Sequence, residues 1–181
     1  ARGMGEPVGK QLKPPAGATF CGVMIGDNAS RYLLASDAGY GFVATVEELL
    51  TRNKSGKAVL SARGAGVLAP QRVFDYEDDW VGAISDTGRL LIFPLAELPL
   101  LSRGKGVKLI NIPAARHKAG EEKLVGIAVF REGDSLQVYA GKQHMRLKPA
   151  DIDNFAGSRA QRGRALPRGY KRPTGIETIY A

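Results

Sequence analysis

A chain of 181 residues that is 44% apolar and 24% charged can bury a core, which excludes disorder throughout. A formal charge of +8 and a pI near 9.7 favour a polyanionic partner, nucleic acid first and an anionic membrane surface second. One cysteine excludes an internal disulfide framework and fits a reducing cytosol, two histidines argue against a structural zinc site, and no apolar run reaches the roughly 18 residues of a transmembrane helix.

The chain opens on Ala1-Arg2-Gly3-Met4, which lacks the basic-then-apolar layout of a signal peptide and reads as the inside of a repeat. It is therefore expected to be a piece of a longer protein, with residues 1–14 closing a preceding unit. Cys21 lies in the apolar run Phe20-Cys21-Gly22-Val23-Met24-Ile25 and reads as a small core residue. The segment from Arg31 to Val43 matches that from Trp80 to Ile92, with Ser-Asp-x-Gly recurring 49 residues apart at Gly39 and Gly88. Gly56 pairs with Gly106 after a one-residue slip. In each unit, Asp followed two residues later by Gly between apolar runs predicts a β-hairpin, the Asp side chain capping the turn and the Gly tolerating φ > 0.

Between hairpins, Val46 to Leu50 and Leu95 to Leu98 leave room for a single helical turn. The acidic run Asp75 to Asp79 predicts an exposed turn ahead of the strand that holds Trp80, away from any polyanion. Arg103-Gly104-Lys105-Gly106-Val107-Lys108 follows, a glycine-loosened basic loop that feeds the apolar Leu109 to Ile112 and suits a polyanionic ligand. A weaker third unit alternates through Leu136, Val138 and Ala140 to Gly141-Lys142, then through Met145 and Leu147 to Pro149. The linker from Gly157 to Gly175 carries Arg159, Arg162, Arg164, Arg168, Lys171 and Arg172 without an acid, and reads either as a DNA-facing loop or as a solvated tail. Gly175 to Tyr180 is a closing strand candidate.

A period of about fifty residues built from short strands predicts an all-β, propeller-like fold, because such a small sheet buries its faces only beside its neighbours. Residues 15–165 hold about three blades of one domain, and 166–181 a basic linker and terminal strand.

With this repeat and the Gly-Lys-Gly loop, the chain resembles the C-terminal DNA-binding domains of the A subunits of bacterial type IIA topoisomerases, topoisomerase IV more closely than gyrase. The resemblance rests on Leu34 to Phe42, Leu90 to Pro94 and Gly104 to Pro113. It implies a β-pinwheel of four-stranded blades with strands exchanged between neighbours, whose basic rim binds and bends duplex DNA without reading bases. The parent would thereby capture DNA for ATP-dependent strand passage, decatenation and relaxation. The resemblance further implies no catalytic residue, metal or cofactor in this piece, ATP and Mg belonging to other parts of the parent. The implied partners are duplex DNA, the rest of the A subunit, and the B subunit of a heterotetrameric parent. The implied location is cytoplasmic, on the chromosome, with peripheral association at the inner membrane as a further expectation. Gyrase carries the box Gln-Arg-Arg-Gly-Gly-Lys-Gly, and here Leu100-Leu101-Ser102-Arg103-Gly104-Lys105-Gly106 keeps only its last three residues, which favours topoisomerase IV and a gentler bend than a gyrase wrap.

Arg103, Lys105 and Lys108 are the leading DNA-binding candidates. Arg2, Lys10, Lys54, Lys57 and Arg89 take related places in other units, and Lys142, Arg162 and Arg164 in the third; each alone also reads as a solvated surface cation. His117 and His144 read as surface histidines, Trp80 and Phe93 as blade core, and Gly104-Lys105-Gly106 lacks P-loop spacing. The alternatives are a gyrase-type wrapping domain, a propeller whose rim binds an acidic protein, and a propeller enzyme. An enzyme would need acids or histidines converging at loop ends, whereas the acids gather in one run.

Overall fold

Three antiparallel hairpins divide the chain, and the segments between them are exchanged from one to the next. The computed structural model describes residues 3–181, so Arg2 lies outside the described residues. In chain order the strands are β1 (Arg31–Ala35), β2 (Tyr40–Thr45), β3 (Gln71–Val73), β4 (Trp80–Ser85), β5 (Arg89–Pro94), β6 (Val107–Lys108), β7 (Leu124–Phe130), β8 (Ser135–Ala140), β9 (Gln143–Leu147), β10 (Arg164–Ala165) and β11 (Gly175–Ile179). The all-β reading holds, helices being confined to single turns such as Val46–Leu49, Ala114–Lys118 and Pro149–Ile152.

The two Ser-Asp-x-Gly turns close as predicted: Gly39 N–H donates to the Ser36 carbonyl and Gly88 N–H to that of Ser85, each at 3.0 Å, with φ of 85° and 76° at the glycines. The capping role differs. Asp86 Oδ1 accepts the Lys123 N–H at 2.9 Å and Asp37 Oδ1 lies 2.7 Å from His117 Nε2, because the turn's own N–H groups are satisfied by backbone and the carboxylates are left to tie down the next unit. His117 is thus a half-buried partner of Asp37, not a free surface histidine.

Strand order is β3-β1-β2-β6 in the first blade, β10-β5-β4-β7 in the second and β11-β8-β9 in the third. The strand leading into each hairpin pairs with the preceding hairpin, as β7 does with β4 before entering β8. After each hairpin the chain also returns to the preceding blade. Val107 pairs with Gly41, and Arg164 with Leu90. The first and second hairpins begin 49 residues apart, the second and third 55, and these two returning connectors stand 57 apart. β7 packs on β3 and β11, and Thr178 Oγ1 donates to the Val129 carbonyl at 2.8 Å, so these strands form the hub while β6 and β10 lie at the opposite, outer edges.

Side-chain alternation places the core between blades. Val81, Ala83, Leu91, Phe93, Ile127 and Val129 face the first blade; Ile84, Leu90, Ile92, Ala128 and Phe130 face the third. The middle blade is buried on both sides, which fully buries Phe93 and contributes about 2–3 kcal/mol for that side chain alone. Trp80 is only half-buried, packed at the edge of the second core.

Other expectations are corrected. Residues 3–30 hold one short helix, Val8–Gln11, and no strand, and Cys21 is exposed with Phe20 (62%), Val23 (79%) and Ile25 (73%), since none of the three sheets covers that run. The segment is fastened by the Tyr32 hydroxyl, which accepts from the Ile25 N–H and donates to its carbonyl. In the acidic run, Asp79 is 1% exposed and accepts the N–H groups of Phe74 and Asp75 at 2.7 and 2.9 Å, joining β3 to β4. The 157–175 linker is no tail: it supplies β10 and buries Leu166. Among the described residues no helix is long and apolar enough to cross a membrane.

Candidate nucleic-acid interface

The Gly-Lys-Gly loop owes its shape to two backbone approaches. Gly106 has φ of 78°, and a Cβ there would stand 2.1 Å from the Gly41 carbonyl oxygen, so only glycine lets the connector lie against β2. Gly104, at φ 131°, bridges to the neighbouring connector: its N–H donates to the Val59 carbonyl at 2.9 Å and its carbonyl accepts the Ser61 N–H at 2.8 Å. Lys105, held between them, sets its Nζ 3.7 Å from the Tyr40 ring centroid in a cation–π contact. Gly163 repeats the part of Gly106 in the second blade, with φ of 75° and a Cβ position 2.7 Å from the Leu90 carbonyl oxygen.

Hydrogen bonds link successive connectors along the outer edge. Lys13 N–H donates to Lys54 O at 2.9 Å, the 59–61 segment meets Gly104, and Ala160 and Asn111 exchange bonds with Leu109 and Gln161 at 2.9 and 2.8 Å. These connectors lack negative charge. Residues 50–74, 98–120 and 154–176 contain no Asp or Glu yet hold 16 of the 26 Lys and Arg. The acids lie outside these stretches, Asp37 and Asp86 at hairpin turns, Asp75 to Asp79 and Glu122 at blade entries, and Glu47, Glu48, Glu97, Asp151 and Asp153 on the helical turns that follow the hairpins. The stretches themselves therefore carry charge of one sign.

On this perimeter the structure gathers Lys54, Lys57, Arg103, Lys105, Lys108 and Arg164, with Lys10 exposed on the short helix beside Lys13 and Lys54. Lys57 Nζ donates to the Glu48 carbonyl at 2.6 Å and Lys108 Nζ to Asn111 Oδ1 at 3.2 Å, bonds to neutral groups that leave both charges available. Arg89 starts β5 opposite Ala165, and Lys142 lies at the third hairpin's tip. Arg162 is withdrawn from the interface. Its guanidinium donates to both oxygens of Glu122 at 2.5 and 2.7 Å and to the Asn111 carbonyl at 2.9 Å. Glu122 has a fully buried side chain and also accepts the Thr87 hydroxyl at 2.8 Å. Burial pushes its carboxyl up, but the hydrogen bonds from Arg162 and Thr87 and the charges of Arg162 and Arg116 outweigh this and hold it below the ordinary glutamate value.

Arg159 likewise turns inward, donating to the Lys108 carbonyl at 2.7 Å. Sequence reasoning missed Arg63, Lys13 and Tyr40 on the perimeter; the acid-free stretch 50–74 was the signal that could have found Arg63. Among the described residues, no three His, Cys, Asp or Glu side chains converge as a metal set.

The family described as "DNA gyrase C-terminal domain, beta-propeller" matches residues 31–65 and 79–131. The chain is similar to the A subunits of DNA topoisomerase 4 from Pseudomonas aeruginosa, 46% identical over 173 residues, and from Escherichia coli K12, 39% identical over 177 residues. These alignments cover 95% and 98% of the chain but 23% of each relative, so it spans about a quarter of their length. The solved structure of the E. coli ParC C-terminal domain superposes with a TM-score of 0.88 at 38% identity, covering 99% of this chain and 73% of that one. The chain belongs to the family of C-terminal domains of topoisomerase IV A subunits, within the wider gyrase A C-terminal group.

Proposed function

We propose that the chain binds duplex DNA along its outer perimeter and bends it, acting as a non-catalytic arm of a type IIA topoisomerase. The observation that carries this reading is the run of three hydrogen-bonded connector stretches, 50–74, 98–120 and 154–176, with cations and no acid. Phosphates are held by such cations without base readout, so the binding is indifferent to sequence. The rest of the A subunit, the ATP-hydrolysing B subunit and a cytoplasmic site on the chromosome complete the proposed setting, in which the arm presents a bent duplex for strand passage.

The degraded box supports a topoisomerase IV type of bend over a gyrase wrap, since Leu100 and Leu101 stand where gyrase has Gln and Arg. If about six phosphates are neutralised, log K falls with log[salt] at a slope of roughly −5. Arg103→Glu with Lys105→Glu weakens binding several-fold on every duplex tested. Unchanged affinity in that double variant with a shallow slope would take DNA off the perimeter and favour an acidic protein partner.

A further inference from the structure

We infer that a cleft on the first blade is a seat for one backbone phosphate of DNA with its deoxyribose, Lys105 and Arg63 being the phosphate ligands; this rests on the duplex-binding reading above. The cleft, about 180 Å³, opens between the first hairpin turn, the turn at residues 62–65 and the helical turn Ala114–Lys118.

The repeat itself shows what the cleft is for. By the 49-residue offset of the hairpins, Ala38 stands where the second blade has Thr87; by the 57-residue offset of the connectors, Ala65 stands where it has Glu122, and Lys105 where it has Arg162. The equivalence extends to the backbone, since Asp37 N–H donates to the Gly66 carbonyl as Asp86 N–H does to that of Lys123. In the second blade this place holds a carboxylate bound by Arg162 and Thr87. In the first blade both the carboxylate and the hydroxyl are reduced to alanine, and the cation remains. An anion from another molecule fits where the chain's own anion sits one blade on.

Two further features shape the site for a phosphate. Arg63 and Gly64 have φ of 51° and 85°, the pair required by a type I′ turn, which Ala65 N–H closes on the Ala62 carbonyl at 3.0 Å. Arginine is a poor occupant of that left-handed position, where Asn or Gly is usual, so turn geometry alone does not account for it, and its side chain lines the cleft. Lys105 is already seated over Tyr40, which lowers the ordering cost met by an entering phosphate, and the nearby Asp37 carboxylate is turned to His117. The floor of Ala38, Ala62, Ala65 and Ile112 suits the sugar.

Duplex affinity of the 181-residue chain across salt tests this with Arg63→Gly, which fits the turn, Arg63→Lys as rescue, Ala65→Glu, which restores the internal carboxylate, and Lys57→Ala as a perimeter control outside the cleft. Arg63→Gly is expected to reduce the slope by about 0.9, so that between 50 and 200 mM salt the parent loses about 3.5-fold more affinity than the variant. Arg63→Lys restores the slope, and Ala65→Glu lowers affinity beyond Lys57→Ala. On titration with a short random duplex, the backbone amide signals of residues 62–65 shift in the parent and not in Ala65→Glu. If Arg63→Gly keeps the parent's slope while Lys57→Ala lowers it, DNA follows the perimeter but bypasses the cleft, and the inference falls. If the parent binds no duplex, the functional reading itself fails, and the cleft with it.

Discussion

Arg162→Ala separates a structural cation from a DNA-binding one. The substitution removes two bonds to Glu122 and one to Asn111, and leaves a carboxylate of no solvent exposure with Thr87 and a more distant Arg116, 3.6 Å away. Breaking a buried pair in this way costs about 3–5 kcal/mol. Because Arg162 is itself about one-third exposed, the lower end applies, about 3 kcal/mol. For a domain of this size each kcal/mol moves Tm by about 2–4 °C, so thermal unfolding followed by circular dichroism drops by about 6–12 °C at pH 7. Glu122→Gln in the same chain recovers part of the loss. The difference between parent and variant shrinks under acid. Glu122 has a folded-state carboxyl held below its ordinary value of about 4.3, so its stabilisation is complete above that value and is lost as pH falls through the depressed one. Duplex affinity of Arg162→Ala, measured well below its Tm, keeps the parent's salt slope. An unchanged Tm together with a slope reduced by about 0.9 would show Arg162 facing DNA and refute the reasoning.

Gly106→Ala places a methyl 2.1 Å from the Gly41 carbonyl at φ of 78°, and is expected to cost about 2 kcal/mol or more and to release the β2–β6 edge, seen as loss of amide-exchange protection at Val107. Gly56→Ala, with open space around it, stays within the cost of its positive φ, about 1 kcal/mol. His117→Ala loses the 2.7 Å contact to Asp37 and about 1 kcal/mol of stability by denaturant titration, whereas His144→Ala, exposed on β9, changes it by less than about 0.5 kcal/mol.

The hairpins were legible because everything that makes them is local. A Ser-Asp-x-Gly turn sits between strands of five or six residues, and alternation tells which side chains meet the neighbouring blade. The exchanged strands were not legible, since β6 and β10 are two residues long and pair with partners 66 and 74 positions away, at Gly41 and Leu90. No periodicity survives in two residues. An offset of about fifty residues, with a one-residue slip, also aligned Gly106 with Gly56, which approaches no backbone, whereas its counterpart is Gly163. The apolar run around Cys21 misled for the opposite reason: hydrophobicity shows what would be buried, but not whether a sheet stands over it.

The site shows the same limit in charge. A basic residue in a connector signals a field of one sign along the perimeter, and that part of the reading needs only composition and the repeat. Whether a particular cation serves the field or the core depends on one residue elsewhere. Lys105 and Arg162 occupy equivalent positions before equivalent glycines, yet Arg162 meets Glu122 and becomes part of the structure, while Lys105 lines a cleft with Ala65 and rests over Tyr40. Their roles become separable only once the connectors are aligned on the 57-residue offset, which in turn requires knowing that β6 and β10 return to the preceding blade. Repetition thus places a cation at the same point of the first and second blades, and whether an acid or an alanine faces it decides whether the chain pairs that cation internally.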